Sequence, residues 1–228
     1  MTDEEKLIFY FEQRRRGIKN DDLLQYFYGE RNHILDLKHA NLTGLELQYI
    51  NFNNSDLEGA DLRDSRFYRA RLNHAILIMA LLQNTYLFKT QLAYADLKNS
   101  DLTGALLFKT NLNYAILENA SLAGNRIEYS IFLQANLSNA KLFGAKFFKS
   151  KLIGTNLSNA NLYGASFIEC NLIDCNFNNA NLSDAEIIDS ELSGAVLKNT
   201  TLNNTLFKNI NMKAFDNLDV DLSCAKII

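Results

Sequence analysis

A large apolar residue returns at every fifth position along most of the chain. From Leu37 to Met212, 36 consecutive positions in this register are 26 Leu, seven Phe, two Ile and one Met. The residue two places earlier is Ala, Ser, Thr or Cys in 31 of the 36 units, and most positions between are polar. A period of five fits neither the 3.6 residues of an α-helical turn nor the alternation of a β-strand. The pattern therefore predicts a chain that turns after every unit, with one large and one small residue pointing inward.

The distribution of turn residues supports this interpretation. The residue two places after the large apolar one is Gly or Asn in 18 of the 36 units. These two residues most readily adopt the positive φ that a type II turn requires. The chain contains no proline, as expected if the amides of stacked coils form ladders like those of a parallel sheet.

The repeat itself resembles a known family. Ala40-Asn41-Leu42-Thr43-Gly44 and Ala160-Asn161-Leu162-Tyr163-Gly164 are similar to the A-(D/N)-L-x-x motif of pentapeptide-repeat proteins. The resemblance extends over residues 35 to about 215. It implies the family's fold, an all-β solenoid that forms a right-handed quadrilateral β-helix with four units per coil. We therefore expect about nine coils from the 36 units, in a domain spanning 35–228 whose last coil is imperfect from about residue 215.

Residues 1–34 are predicted to form an α-helical cap over the first coil, because an uncovered edge invites association. Thr2 and Glu5 form a capping-box pattern, and three arginines before Gly17 suit a helix end. The apolar face is predicted to contain Leu7, Ile8 and Phe11. A second short helix is expected between Asn20 and Gly29, and it would pack Leu23, Leu24 and Phe27 on the first coil. The segment from Leu23 to Asn32 resembles the lead-in to the repeats in several cyanobacterial members.

The C-terminal end has two interpretations. The pattern breaks at Asn217 and resumes in phase at Leu222 and Ile227. The apolar residues of this region are Phe215, Leu218, Val220, Ile227 and Ile228. They either cover the last coil or form a two-fold homodimer contact, as in the quinolone-resistance members of the family.

One face of the expected solenoid differs from the others, because residues 20 apart lie on the same face. Its units are centred on Leu47, Phe67 and every twentieth residue to Phe207, and we call it the aromatic-basic face. Six of the nine residues that follow these centres are apolar, namely Tyr68, Phe88, Phe108, Phe148, Ile168 and Ile188. The next column contains the cations Arg69, Lys89, Lys109 and Lys149, followed by acids. An apolar strip with charged neighbours is typical of an interaction site, so we predict that these ten residues bind a partner. The alternative is that they only pack on one another along the β-ladder.

Composition removes several classes of function. The net charge of −3 over 228 residues indicates no nucleic-acid partner, and no apolar run approaches the roughly 20 residues of a membrane helix. The acidic N-terminus lacks a secretion pattern, so we expect a cytoplasmic protein with no membrane association. The three histidines (His33, His39, His74) and three cysteines (Cys170, Cys175, Cys224) have no metal-ligand or catalytic spacing. We therefore predict no catalytic residue, no metal and no cofactor.

The sequence thus favours a non-catalytic protein–protein interaction module that regulates a partner. The resemblance to cyanobacterial members implies such a role, since one branch of them binds a developmental transcription regulator. A first alternative is a DNA mimic that binds a type II topoisomerase (gyrase), as in the quinolone-resistance branch. From Asp36 onward, however, 17 Lys and Arg face 19 Asp and Glu, a net charge of only −2, whereas a DNA mimic needs dense negative charge. A second alternative is a purely structural or stress-related role.

Overall fold

The computed structural model describes residues 1–17, 25–27, 29, 34–211 and 221–228. Within them, helix α1 (Asp3–Arg15) precedes a solenoid built only from parallel pairings. The all-β solenoid predicted from the repeat is therefore confirmed. Several residues assigned above to the second helix and to the C-terminal contact lie outside the described residues, namely Asn20, Leu23, Leu24, Phe215, Leu218 and Val220.

Seven short strands follow one another up one face of the solenoid. They are β1 (Leu106–Phe108), β2 (Arg126–Glu128), β3 (Lys146–Phe148), β4 (Ser166–Ile168), β5 (Glu186–Ile188), β6 (Leu206–Lys208) and β7 (Lys226–Ile227). Each pairs in parallel with the next at a spacing of 20 residues. Counted by these strands the solenoid has about six turns, which differs from the nine coils expected. Single bridges at the same spacing continue the stacking back to Asp36, because there the chain turns after one paired residue.

Backbone hydrogen bonds, between coils and within turns, use almost every amide of a unit. The Leu37 amide donates to the Asp56 carbonyl at 2.8 Å, and the Asp56 amide donates back to the Leu35 carbonyl at 2.9 Å. The amide of Ala40 closes a four-residue turn onto the Leu37 carbonyl at 3.1 Å. The residue two after the centre also donates to the next coil, so four of five amides per unit are used. Proline would remove one of these donors, which explains its absence.

Every fifth residue from His39 to Asn209 has a positive φ. These positions comprise 27 residues other than glycine and eight glycines. The turn is therefore imposed by the stacked coils wherever it occurs, and not only where Gly or Asn favours it. Lysine, arginine and tyrosine adopt this conformation at a local cost, since non-glycine residues at positive φ are strained by about 1 kcal/mol or more.

A column of hydroxyl groups at one corner of the aromatic-basic face accepts hydrogen bonds from the amides that follow β1, β2 and β4. The amide of Thr110 donates to Ser130 Oγ at 3.1 Å, and the amide of Ser130 donates to Ser150 Oγ at 3.2 Å. The amide of Cys170 repeats this contact with Ser190 Oγ at 2.9 Å. On other faces the equivalent amide closes a four-residue turn. The side-chain acceptor leaves the backbone free to remain extended over three residues, and that extension forms the strand.

Helix α1 covers the first coil and supplies acceptors to its free amides. Asp3 Oδ2 accepts a hydrogen bond from the Asp36 amide at 3.0 Å, and Glu4 Oε1 accepts one from the Asn41 amide at 2.9 Å. In later coils the preceding coil supplies these acceptors. The helix therefore satisfies amides that would otherwise form an open edge.

The ends and apolar face of α1 follow ordinary helix chemistry. Thr2 and Glu5 form the predicted capping box, with each side chain accepting from the other's amide. Leu7, Tyr10 and Phe11 are buried. The prediction that Ile8 belongs to this apolar face is wrong. Its side chain is 38% exposed, because it lies about 100° around the helix from Leu7. In the described part of the chain, we find no helix with the length and apolar character needed to cross a membrane.

Candidate functional site

The aromatic-basic face carries its predicted apolar residues in one vertical column supported by the strands. Tyr68, Phe88, Phe108, Phe148, Ile168 and Ile188 are each half-buried. Register holds the column together, since Phe108, Phe148, Ile168 and Ile188 occupy equivalent strand positions. The column is thus an apolar strip interrupted at Glu128, with less exposed area than fully outward side chains would have.

Aromatic side chains contact one another along this strip. The Phe88 and Phe108 rings stack with centroids 5.3 Å apart. Tyr129 bridges the position where Glu128 interrupts the column, with centroids 5.5 Å from Phe108 and 5.7 Å from Phe148. Tyr129 is not among the predicted residues, because it belongs to the neighbouring column, where most side chains are charged.

Cationic side chains lie over these rings. Lys109 Nζ lies 5.4 Å from the Phe108 centroid, and Lys149 Nζ lies 5.0 Å from that of Phe148. The Arg69 guanidinium lies 5.3 Å from the Tyr68 centroid. Such cation–π contacts contribute about 0.5–1 kcal/mol at exposed sites. The predicted cations and apolar residues are therefore in direct contact.

Some of these cations are paired with acids and others are not. Lys149 Nζ lies 3.2 Å from Glu169 Oε2, and Arg126 pairs with Glu128. Lys89, Lys109 and Lys146 make no ion pair with any residue that the structure describes. The unpaired cations lie beside β1 and β3, so this part of the face has uncompensated positive charge.

An apolar hollow of about 330 Å³ opens among these side chains. Its lining residues are Phe88, Leu106, Leu107, Phe108, Arg126 and Glu128. Leu106 was not selected from the sequence, because it precedes a centre whereas only the columns that follow the centres were compared. Tyr86, in the same column as Leu106, is 41% exposed and lies under the Arg66 guanidinium at 5.4 Å. The apolar area of the face is therefore wider than the sequence indicated.

A second hollow of about 370 Å³ lies where α1 meets the first unit of the aromatic-basic face. It is lined by Phe11, Arg14, Arg15, Leu45, Glu46 and Gln48. The helix C-terminus thus adds apolar and basic side chains to the N-terminal end of the same face.

An adjacent face carries an aromatic stack that was not predicted from the sequence. His74, Tyr94 and Tyr114 stack with centroids 4.9 and 4.8 Å apart and nearly parallel planes. Each residue has a positive φ and follows its centre by two positions. A comparison of residues 20 apart in this column could have found the stack.

The inward cysteines have little reactivity. Burial raises the pKa of Cys170 to about 11 and that of Cys175 to about 12. Thiolate, the reactive form, is therefore disfavoured at neutral pH. The Sγ of Cys170 donates to the Ile168 carbonyl at 3.4 Å within the hydroxyl column. Among the described residues, His, Cys, Asp and Glu form no cluster suited to a metal ion.

Comparison with protein families and solved structures agrees with this architecture. The family model for pentapeptide repeats (8 copies) matches residues 36–73, 65–104, 100–144 and 140–179. The model for a pentapeptide repeat region matches residues 163–227. Among curated proteins, no significant match is found.

Three solved structures illustrate the similarity. HetL, a pentapeptide repeat protein involved in heterocyst differentiation regulation from the cyanobacterium Nostoc sp. strain PCC 7120, is 30% identical, and the alignment covers 81% of this chain and 94% of HetL with a TM-score of 0.53. QnrB1, a plasmid-mediated fluoroquinolone resistance protein, is 20% identical over 74% of this chain and 89% of its own, with a TM-score of 0.44. Rfr23 from the cyanobacterium Cyanothece 51142 is 27% identical over 54% and 66%, with a TM-score of 0.18. The repeat matches together extend from residue 36 to residue 227, and the chain therefore belongs to the pentapeptide repeat family.

Proposed function

We propose that this chain is a non-catalytic module that binds a protein partner through the aromatic-basic face and thereby regulates it. The observation that carries the proposal is the position of the basic residues of this face. Arg69, Lys89, Lys109 and Lys149 all have positive φ, where asparagine or glycine is less strained. In the equivalent column of this face only Asn209 is an asparagine, and none of the described residues is a glycine.

The asparagine face, whose units include those centred on Leu97 and Leu117, provides the comparison. Its column contains Asn99, Asn119, Asn139, Asn159, Asn179 and Asn199, all at positive φ. Asn199 Nδ2 donates to Asn179 Oδ1 at 3.2 Å, so an asparagine column can stabilise itself along the rod. If the basic column were needed only for packing, asparagine would be sufficient there. Cations strained at positive φ beside an apolar hollow therefore favour recognition of another molecule.

The known role of HetL supports the regulatory part of the proposal. HetL covers most of this chain and is involved in the regulation of heterocyst differentiation. We extend the general idea of regulation to this chain, and we assign it no partner from HetL.

The test is affinity capture with the full chain and with a Phe88→Ser/Phe108→Ser/Phe148→Ser variant. We expect the triple variant to capture at least about tenfold less of a protein that the wild type binds specifically, since each lost ring removes more than about 1 kcal/mol of binding free energy. The matched control is Tyr94→Ser/Tyr114→Ser, which removes stacked rings from another face and is expected to retain the captured protein.

Circular dichroism and thermal melting are used to check whether each variant remains folded. Equal capture of the same proteins by the wild type and the triple variant would contradict the proposal. Loss of capture only in the tyrosine variant would move the binding surface to the other face, and would contradict it equally.

A further inference from the structure

The hollow beside β1 has the dimensions and lining of a side-chain pocket. Buried Leu107 forms its floor, and the half-buried side chains of Phe88, Leu106 and Phe108 form its walls. Its volume of about 330 Å³ lies at the lower end of the range for ligand pockets. A pocket of this size and polarity suits one bulky apolar side chain, because every wall except the Arg126–Glu128 edge is apolar.

The charges around the pocket are predominantly positive. Between Arg66 and Lys149, the outward positions of the aromatic-basic face carry seven Lys and Arg and one acid, Glu128. Three of these cations are paired with acids, namely Arg66 with Glu46, Arg126 with Glu128 and Lys149 with Glu169. Arg69, Lys89, Lys109 and Lys146 make no ion pair with any of the described residues. Farther along the face the sign reverses, with Glu169, Glu186 and Asp189. A ligand centred on the pocket therefore meets excess positive charge, and electrostatic complementarity favours an acidic one.

The geometry favours an acidic peptide over a single-stranded nucleic acid. Nucleic acids bind such surfaces by stacking bases on free aromatic ring faces. Here the Phe88 and Phe108 rings stack on each other at 5.3 Å, and Lys109 lies over Phe108. The acids at Glu169 and Asp189 would also repel a phosphate backbone that continued along the rod. An apolar side chain between carboxylates makes better use of the pocket and of the free lysines.

We propose that the hollow and its surrounding cations bind an acidic peptide segment of a partner protein, with one bulky apolar side chain inserted into the hollow against Phe88, Leu106 and Phe108. The carboxylates of that segment contact Lys89, Lys109 and Lys146. This inference rests on the proposed function, since it specifies the chemistry of the partner at the same face.

The experiment selects a display library of random nonapeptides against the immobilised full chain. We expect the enriched peptides to be more acidic than the library and to share one Leu, Phe or Trp at a fixed position. Leu106→Ser should weaken binding of an enriched peptide about tenfold, because it removes a wall of the pocket. The matched control is Leu81→Ser, an equivalent half-buried leucine on another face, which should leave the affinity unchanged.

A second pair of variants tests the charge. Lys89→Gln/Lys109→Gln should weaken the same peptide about fivefold at low salt and reduce the salt dependence of its affinity. Lys141→Gln, an exposed lysine on another face, is the control. Affinities are measured by fluorescence anisotropy with the labelled peptide.

Several outcomes would overturn the inference. They are enrichment of neutral or basic peptides, absence of any enrichment, and equal effects of Leu106→Ser and Leu81→Ser. If labelled dodecathymidine binds more tightly than the enriched peptide, and Leu106→Ser abolishes that binding, the pocket would be assigned to nucleic acid instead. Self-association at low salt that Leu106→Ser abolishes would assign it to the acidic end of a second copy. If the triple-serine variant loses its captured protein while no acidic peptide is enriched, the proposed function stands and this inference alone is wrong.

Discussion

Lysines at positive φ on the aromatic-basic face reduce local stability and place a positive charge at the surface. Lys89 and Lys109 have φ of 57° and 54°, and cation–π contacts with Tyr68 and Phe108 offset part of the strain. We predict that Lys89→Asn/Lys109→Asn leaves the free energy of unfolding unchanged or raises it by up to about 1 kcal/mol, because asparagine tolerates this conformation better. Urea denaturation of the full chain measures the difference.

The reverse substitution on the asparagine face is the control for this prediction. Asn119→Lys/Asn139→Lys should lower the free energy of unfolding by about 1 kcal/mol, because two lysines replace residues suited to positive φ. If Lys89→Asn/Lys109→Asn instead destabilises the chain by more than about 1 kcal/mol, the lysines serve the solenoid itself. Backbone strain at these lysines would then give no support to a role in recognition.

At the same scale, the sequence determines which residues point inward but not how outward residues meet. The five-residue period places Leu107 and Cys170 inside without ambiguity. It does not predict that Tyr129 reaches Phe108 and Phe148, since that contact depends on side-chain direction across two columns. The period does not predict the pocket at Leu106 either, because its walls come from residues on both sides of the buried centres.

Strands β1, β2 and β4 are each followed by an amide that donates to a hydroxyl side chain of the next coil. Ser130 Oγ accepts from the Thr110 amide at 3.1 Å and donates to the Leu107 carbonyl at 3.3 Å. We predict that Ser130→Ala lowers the free energy of unfolding by about 1–3 kcal/mol, because it leaves a buried amide without its acceptor. Urea denaturation compares the variant with the wild type.

Ser100→Ala is the matched control for that element. Ser100 is equally buried, but its amide already donates to the Leu97 carbonyl in a four-residue turn, and its Oγ donates to the same carbonyl. Ser100→Ala should therefore lower the free energy of unfolding by less than Ser130→Ala. Equal destabilisation by the two substitutions would show that the hydroxyl column does not determine where the strands form. In the five-residue pattern Ser, Thr and Ala are equivalent small residues, so the pattern predicts the solenoid but not the positions of its strands.

Charge is distributed unevenly along the whole molecule. From residue 63 to residue 151 there are 12 Lys and Arg and five Asp and Glu, a difference of 12 − 5 = +7. From residue 152 to residue 197 there are six Asp and Glu and no Lys or Arg, a difference of −6. The small net charge of the chain conceals this separation, so composition alone could not reveal a basic surface. The acidic region is confined to a few coils, which gives little support to a DNA mimic extending along the rod.

Closure of the N-terminal end by α1 is a property of the whole molecule, since it joins the first residues to the first coil. Burial raises the pKa of Asp3, but hydrogen bonds from Tyr26, the Asp36 amide and Lys6 outweigh burial and hold that pKa below its ordinary value of 3.8. A carboxyl group whose pKa is lowered by folding stabilises the folded state above its unfolded pKa. That contribution decreases as pH falls through the folded pKa. The contact between α1 and the first coil should therefore persist at neutral pH and weaken below about pH 3.8.

Amide hydrogen exchange tests this closure one bond at a time. We predict that Asp3→Ala accelerates exchange of the Asp36 amide at least about tenfold at neutral pH, because hydrogen bonds to charged acceptors contribute about 1.5–3 kcal/mol. The Asp56 amide is the internal control, since it donates to the Leu35 carbonyl at 2.9 Å within the ladder and does not contact α1. In the wild type, lowering the pH below 3.8 should reduce the protection factor of Asp36 relative to that of Asp56. Equal protection of Asp36 in the wild type and in Asp3→Ala would mean that the coil edge is stable without the helix, and α1 would then be an appendage and not a cap.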